Sequence, residues 1–395
     1  MIKRKKKNKE HNPFYDPTLK KRHVSAKRFK KFTLTSLIFS VAFLAFFLFD
    51  MIGKGIPAFN IAYVKVDVTF NEKTLEDTRF AVPTEYRNLV SRAALRDLPK
   101  LLEENPTYMN STQNIWILAS SQVDQYIKNH NHNLKDKDIA KVDELYAQGL
   151  IDKKFNAIFF TNGDSKITEY AGIFSAVIGS ILTLIITMAV AFPIGVMTAI
   201  YLEEFAGDNK FTRFIEININ NLAAIPSILF GLLGLAIFIN LFGMPRSSPL
   251  VGGLTLALMT LPIIIVSSRA ALRAVPDSIR QAGYGLGLNK IQVTRDHVLP
   301  LAFPGIMTGS IIGLAQAMGE TAPLIIIGMI AFIPDAPSMV TQAATVMPAQ
   351  LFTWAGMPEG MYIEKTAAGI LVLLTILISL NAIAIFLRKK FEVKW

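Results

Sequence analysis

The chain has 395 residues and no cysteine, and 51% of its residues are hydrophobic. This apolar content exceeds what one soluble core needs and is gathered in discrete blocks, which predicts a membrane protein; the lack of cysteine excludes disulfides and thiol-based metal or redox sites. The net charge of +11 comes from residues 1–31, which hold 13 Lys and Arg against Glu10 and Asp16. Because this basic tail abuts an apolar block, it favours a cytoplasmic topology anchor, compatible with anionic-lipid binding, over a nucleic-acid site.

Six apolar runs are long enough to cross about 30 Å of hydrocarbon, at about 20 residues each. They are 32–49, 171–202, 217–243, 247–268, 301–334 and 366–387. The first run is too long for the core of a signal peptide, so we expect it to remain as an anchor. Arg269, Arg273 and Arg280 follow the fourth run and Arg388 follows the sixth. The positive-inside rule therefore places both termini in the cytoplasm.

These patterns predict an all-α polytopic membrane protein with six transmembrane helices and a small α+β domain between the first two. The parts are a basic tail at 1–31, a first span at 32–52, an extracytoplasmic domain at 53–169, a five-helix core at 170–390 with a cytoplasmic loop at 270–300, and a cytoplasmic end at 391–395. Strand-like alternation at 61–70 and helical spacing at 86–102 indicate the mixed domain. Its charges are of both signs and evenly mixed, so the sequence predicts a docking or spacer role and no anionic ligand site.

The polar stretch 281–300 lies between two long apolar blocks and has the features of a contact loop. Pro276 and Asp277 begin a predicted helix, Gly287 breaks it, and Pro300 precedes the next apolar run. No Gly-x-x-x-x-Gly-Lys-Ser/Thr phosphate loop occurs in the chain. Any energy from ATP is therefore expected to come from another subunit.

The fifth apolar run contains a stripe of small residues and one acid. Gly305, Gly309 and Gly313 recur every four residues, a spacing that lets another helix approach closely. Glu320 lies deep in the run, where a charge costs at least about 2.5–3.5 kcal/mol, so its carboxylate is expected to face protein or water and to have a partner. The carboxylate either locks two helices together or lines a pathway. Gln316 lies one helical turn earlier.

Three stretches carry a resemblance to a known family. The residues Gln281, Ala282 and Gly283, then Gly287, then Leu299 and Pro300, resemble the Glu-Ala-Ala cytoplasmic loop of binding-protein-dependent ABC importer permeases. The stretches 222–234 and 317–324 are similar to signature stretches of the PstA family of phosphate-importer permeases. The sequence departs from the family at Gln281, where an acid is usual, and at Gln316, where arginine is frequent.

The resemblance implies a type I ABC importer permease in the bacterial inner membrane, with the loop at 281–300 coupling it to an ATPase. It implies a PstC-like permease subunit, a PstB-like ATPase dimer and a periplasmic phosphate-binding protein as partners, with ATP and Mg bound by the ATPase and no cofactor or metal in this chain. Inorganic phosphate is the implied substrate. Path candidates are Glu320, Thr321, Gln316, Ser227 and Asn221, with Pro226 and Pro323 as hinges.

Three alternatives remain open at this point. Sulfate or molybdate could replace phosphate, because oxyanion choice rests largely with the binding protein. A secondary transporter would use Glu320 as a proton-linked switch and would need no ATPase. A membrane-anchored receptor would bind its ligand through the extracytoplasmic domain.

Overall fold

The computed structural model of the chain describes residues 18–330 and 332–391. Its first helix, α1, spans Leu19–Gly55, so residues 20–31 of the predicted basic tail belong to this helix. Residues 1–17 of that tail and 392–395 of the predicted cytoplasmic end lie outside the described residues. The chain up to Gly53 is one structural unit, and the chain from Lys54 onward is another.

A three-stranded antiparallel sheet forms the centre of the segment that follows α1. The strands are β1 (Asn60–Thr69), β2 (Thr112–Leu118) and β3 (Ile151–Phe155), in the order β2-β1-β3. Val64, Val66 and Val68 alternate along β1 and are buried, as the period of two in a half-covered strand requires. They pack with Leu89, which lies in a turn, and with Leu145 of a helix. The segment is thus a small α+β structure, as the alternation in its sequence predicted.

The remaining helices follow in chain order. The short helices of the α+β segment are α2 (Glu72–Glu76), α3 (Arg92–Arg96), α4 (Leu98–Glu104), α5 (Ser121–Ile127), α6 (Asp136–Ala147) and α7 (Ala157–Thr161). Those of the second half are α8 (Phe174–Ile200), α9 (Lys210–Leu222), α10 (Ser227–Gly234), α11 (Pro249–Arg273), α12 (Asp277–Gly285), α13 (Lys290–Val293), α14 (Leu299–Gly319), α15 (Ala322–Ile326), α16 (Met347–Ala355) and α17 (Gly360–Phe391).

Within residues 18–330 and 332–391, five helical segments are long and apolar enough to cross a membrane by length and composition. They contain α1, α8, α11, α14 and α17, and a sixth exists if the bent pair of α9 and α10 counts as one span. Short π-helical segments extend α8 to Phe205 and α10 to Leu241. The prediction of an all-α polytopic membrane protein with a small α+β insertion is confirmed.

The third predicted span, 217–243, is wrong as one continuous helix. The chain turns by 103° between α9 and α10. Pro226 has no backbone N–H to continue the hydrogen-bonding ladder, and the residue before a proline is pushed away from the helical region. The limb from Ser227 to Leu241 has 15 residues, which reach only about 22 Å at 1.5 Å per residue.

The fifth predicted span, 301–334, also ends early. Helix α14 stops at Gly319, Glu320 is extended with ψ of 128°, and the short helix α15 follows. Hydropathy alone cannot mark this end, because the residues on both sides of the break are apolar. Both helix breaks lie inside runs that the sequence presents as continuous.

Buried charges tie the α+β segment to the start of α17. The Lys128 ammonium lies 2.7 Å from a carboxylate oxygen of Asp124 and 2.7 Å from one of Glu364. Gln125 donates a hydrogen bond to the other Glu364 oxygen, and the His130 ring lies 3.6 Å from it. All three members of the Lys128 group are almost fully buried.

The neighbouring ammonium of Lys365 is buried as well. It donates hydrogen bonds to the carbonyls of Thr168 at 2.6 Å, Ala171 at 2.7 Å and Glu169 at 3.2 Å. A buried charge is tolerated only when it is paired or hydrogen-bonded. The segment and the helical core accordingly belong to one compact unit.

Replacing Lys128 by Met should lower the thermal midpoint of the detergent-solubilised protein strongly. The substitution leaves the buried carboxylates of Asp124 and Glu364 without their cation, and breaking a buried ion pair in this way costs about 3–5 kcal/mol. Lys100→Met is the matched control, because the Lys100 side chain is 78% exposed. Equal midpoints for the two variants would contradict the predicted role of the ion pair.

Candidate translocation site and coupling surface

Two helix breaks meet in the helical core. One is the turn before α10, and the other separates α14 from α15 at Glu320 and Thr321. They are joined through Gly231 of α10, where an added Cβ would lie 2.7 Å from the Cα of Pro323. Ser227 lies one turn before Gly231 and therefore on the same face of α10. The structure thus brings Ser227 and the hinge residue Pro323 onto facing surfaces.

Glu320 stands at the end of α14 with no partner for its carboxylate. Its side chain is half-buried, and among the described residues it makes neither a hydrogen bond nor an ion pair. The expected partner is therefore not found among the described residues, and the expectation stays a prediction. Gln316 is exposed one turn earlier, and Thr321 is half-buried beside the carboxylate. The carboxylate is left for water, a substrate or a second subunit.

Asn221 and Pro226 occupy the other side of the 103° turn. Asn221 is exposed near the end of α9, across the turn from Ser227, and Pro226 is the exposed residue that begins α10. The structure places the two path candidates Asn221 and Ser227 on different limbs. Only Ser227 lies on the limb that packs against α15.

The glycine stripe of α14 packs against α11. An added Cβ would lie 2.6 Å from the Ala271 Cβ at Gly305 and 2.3 Å from the Ser267 Cβ at Gly309. At Gly313 it would meet Ile264 at an ordinary 3.5 Å. Such small residues let the two backbones approach, which favours van der Waals association of helices inside a membrane.

The predicted coupling loop consists of α12, a turn and α13. Gln281 and Ala282 are exposed on α12, whereas Gly283 is buried, and an added Cβ there would lie 2.8 Å from Val293. Gly287 has a φ of +80°, a conformation that favours glycine, and it ends the first helix. Leu299 and Pro300 begin α14.

The outer surface of this loop is apolar. Leu286 is 80% exposed and Ile291 is 63% exposed. A groove of about 350 Å³ runs beside them and is lined by Ile279, Ala282, Gly283, Leu286, Asp296, His297, Pro300 and Leu301. Exposed apolar groups next to a groove are typical of a surface that another protein covers.

An ion pair missed by the sequence reasoning anchors the loop. Arg280 of α12 lies 2.6 Å from a carboxylate oxygen of Glu204, which is buried at the end of the α8 extension. Arg280 also donates to the carbonyls of Val275 and Leu272. The hydrogen bond to Glu204 raises the pKa of the Arg280 guanidinium. The sequence signal was the doublet Glu203-Glu204 at the end of a predicted span.

A second set of side-chain ion pairs involves Glu203, the residue next to Glu204. Arg269 lies 2.6 Å from a carboxylate oxygen of Glu216 in α9 and 3.3 Å from one of Glu203. Arg273 lies 2.7 Å from the other oxygen of Glu203. Helices α9, α11 and α12 and the extension of α8 are therefore joined by charge pairs. A displacement of α12 would be passed to these helices through them.

The second half of the chain matches a known protein family. Residues 191–393 match the family model described as the inner membrane component of binding-protein-dependent transport systems, and this range is slightly more than half of the chain. The chain belongs to this family of transport permeases. Residues 16–87 and 78–137 match a domain of unknown function, DUF3333.

Named relatives lie in the same family. The chain is 36% identical over 160 residues to the phosphate transport system permease protein PstA of Mycobacterium leprae, covering 40% of this chain and 52% of that protein. It is 31% identical over 245 residues to PstA of Yersinia pestis, covering 61% and 81%. The chain thus spans about half the length of several curated relatives that it matches. The resemblance to the PstA family is confirmed.

A solved structure is also similar. A chain in the inward-facing conformations of the MetNI methionine ABC transporter is 16% identical, with a TM-score of 0.45 and coverage of 56% of this chain and 98% of that one.

Substitution of Gly309 by Ala should destabilise the protein, although the same change normally stabilises a helix interior. The new Cβ would overlap Ser267 of α11, and overpacking of this kind costs about 1–3 kcal/mol. Gly319→Ala, at the end of the same helix, is the control, because no atom lies within 4 Å of its added Cβ. The measurement is the thermal midpoint in detergent, and a higher midpoint for Gly309→Ala than for the control would contradict the close packing.

Proposed function

We propose that the chain is the membrane-spanning permease subunit of an ABC importer for inorganic phosphate. The observation that carries the proposal is the similarity to PstA of Yersinia pestis, which runs over 81% of that protein's length. The geometry supports it, since the core has two facing helix breaks and a loop with an exposed apolar surface. Broken helices inside a membrane are suited to line a substrate path.

The path would run between this chain and a second, PstC-like permease subunit. Glu320 carries a charge without a partner among the described residues, so the partner subunit is the expected source of a cation beside it. A bare carboxylate repels phosphate, so Glu320 would orient that cation or act in gating. Ser227, Thr321 and Gln316 would offer neutral hydrogen bonds to the oxyanion.

Coupling would pass through the α12–α13 loop. A PstB-like ATPase dimer, which would bind ATP and Mg, covers Leu286 and Ile291, and movement of α12 reaches α8 through the Arg280–Glu204 pair. The subunit itself performs no covalent chemistry and holds no cofactor or metal. A periplasmic phosphate-binding protein would deliver the substrate to the outer side of a bacterial inner membrane, with both chain termini in the cytoplasm.

Uptake of radiolabelled phosphate tests the substrate directly. Cells lacking the chain should lose phosphate uptake, and the wild-type chain should restore it, while sulfate and molybdate uptake stay unchanged. Restored uptake of sulfate or molybdate in place of phosphate would refute the phosphate assignment.

Glu320→Gln should lower phosphate uptake at least about tenfold in complemented cells. The substitution removes a charge-assisted interaction worth about 1.5–3 kcal/mol and keeps the size of the side chain. The control is Gln316→Glu in the Glu320→Gln background, which moves the carboxylate one turn along the helix and should not restore uptake. Full uptake by Glu320→Gln alone would remove this residue from the path.

Arg280→Gln should uncouple ATP hydrolysis from transport. The buried Glu204 carboxylate loses its cation at a cost of about 3–5 kcal/mol, so α12 is no longer held to the end of α8. The expected result in reconstituted vesicles is persistent ATPase activity with phosphate transport reduced at least about tenfold. Arg213→Gln is the control, because the Arg213–Asp208 pair is exposed. Transport without any ATPase subunit would instead indicate a secondary transporter.

A further inference from the structure

The α+β segment contains a concave basic surface that plays no part in the proposed transport path. Two adjoining cavities of about 690 Å³ and 630 Å³ share the side chains of Arg87, Arg92 and Arg96 in their walls. Arg79 lines the larger cavity, and Ser91 lines the smaller one. We call this surface, defined by these five residues, the arginine groove. Its volume is in the range of cavities that hold small organic ligands.

Most of the positive charge in the groove has no carboxylate beside it. Arg79 forms a bidentate ion pair with Asp77, in which the Arg79 Nη2 lies 2.6 Å from the Asp77 Oδ2 and the Arg79 Nε lies 2.9 Å from the Asp77 Oδ1. Among the described residues, the side chains of Arg92 and Arg96 have neither an ion pair nor a hydrogen bond. They stand four residues apart on α3, so they lie on one face of the helix and repel each other.

The remaining arginine is held in place by neutral groups. The Nε of Arg87 donates to the carbonyl of Val82, and its guanidinium lies 5.0 Å from the ring centre of Phe80. These contacts leave both Nη groups of Arg87 without a carboxylate partner in the described part of the chain. Three guanidiniums thus share the groove without an ion pair among the described residues.

The acids of the smaller cavity cancel only part of this charge. They are Glu169, whose carboxylate accepts hydrogen bonds from the Ser121 amide and the Thr168 hydroxyl, and Asp138. The walls of the two cavities together hold five cations, Arg79, Arg87, Arg92, Arg96 and Lys135, against three acids, Asp77, Asp138 and Glu169.

We propose that the arginine groove is a binding site for an oxyanion with more than one phosphate group, such as a diphosphate. Guanidinium groups match phosphate oxygens with two parallel hydrogen bonds, which lysine cannot do. Orthophosphate would fill only a small part of the 690 Å³ cavity and would leave charge uncompensated. The proposal departs from the sequence prediction of no anionic ligand site, because the fold collects several arginines of the segment on one surface although its charges are mixed along the chain.

Isothermal titration of the full chain in detergent micelles tests the site, with sodium pyrophosphate as the probe. Binding of one pyrophosphate per chain is expected, and orthophosphate and sulfate should bind at least about tenfold more weakly. Arg92→Gln with Arg96→Gln should raise the Kd for pyrophosphate about 100-fold, one factor of ten for each charge-assisted contact. Lys100→Gln, an exposed cation of the same segment, should leave it unchanged.

Several outcomes would overturn the proposal. They are the absence of pyrophosphate binding, equal affinity for pyrophosphate and sulfate, and a Kd that Lys100→Gln raises as much as the double variant does. Binding of a purified phosphate-binding protein that depends on Arg92 and Arg96, without any pyrophosphate binding, would make the groove a protein-docking surface instead. Thermal midpoints of the variants, measured beside the titrations, separate loss of the site from loss of the fold.

Discussion

The architecture depends on one constraint, which is that hydrocarbon offers no hydrogen-bond partner to an exposed backbone group. A helix that crosses a membrane can be interrupted only where protein or water satisfies the freed groups. The core has two interruptions, before Ser227 and at Glu320, and the close approach of Gly231 to Pro323 brings them together. This approach gathers the polar side chains at the two breaks, Ser227, Glu320 and Thr321, in one region of the core, where a polar substrate could use them.

The charge pairs of Arg280 and Arg269 connect four helices of the core. They link α9, α11 and α12 with the extension of α8, next to an exposed apolar loop. Inside the core, the glycine stripe of α14 connects two further helices, because it lets α14 pack closely against α11 without large side chains between them. A displacement of the loop would therefore act on helices that are joined to one another.

The sequence predicted the polytopic fold and the family well, because both depend on local composition and on short motifs. Hydropathy alone did not mark the breaks at Pro226 and after Gly319, because apolar residues continue across both, although Pro226 and Pro323 stood out in the sequence as hinges. It also gave no sign that Lys365 is buried, since the carbonyls that it contacts lie nearly 200 residues earlier in the chain. The arginine groove was missed for a related reason. Net charge describes a segment as a whole, whereas a site depends on which face each side chain occupies.

The buried pair at the start of α17 limits how the parts of this protein could be exchanged. Among the described residues, Glu364 is paired with groups of the α+β segment, and Lys365 donates to carbonyls of the residues that follow it. A core cut free of that segment would present a bare Glu364 carboxylate at the head of a long apolar helix, beside a Lys365 ammonium that keeps the Ala171 carbonyl and loses other partners. The helical core therefore depends on the α+β segment to keep this buried charge paired. A chimaera that grafts the segment onto a shorter permease would need to carry these two residues with it.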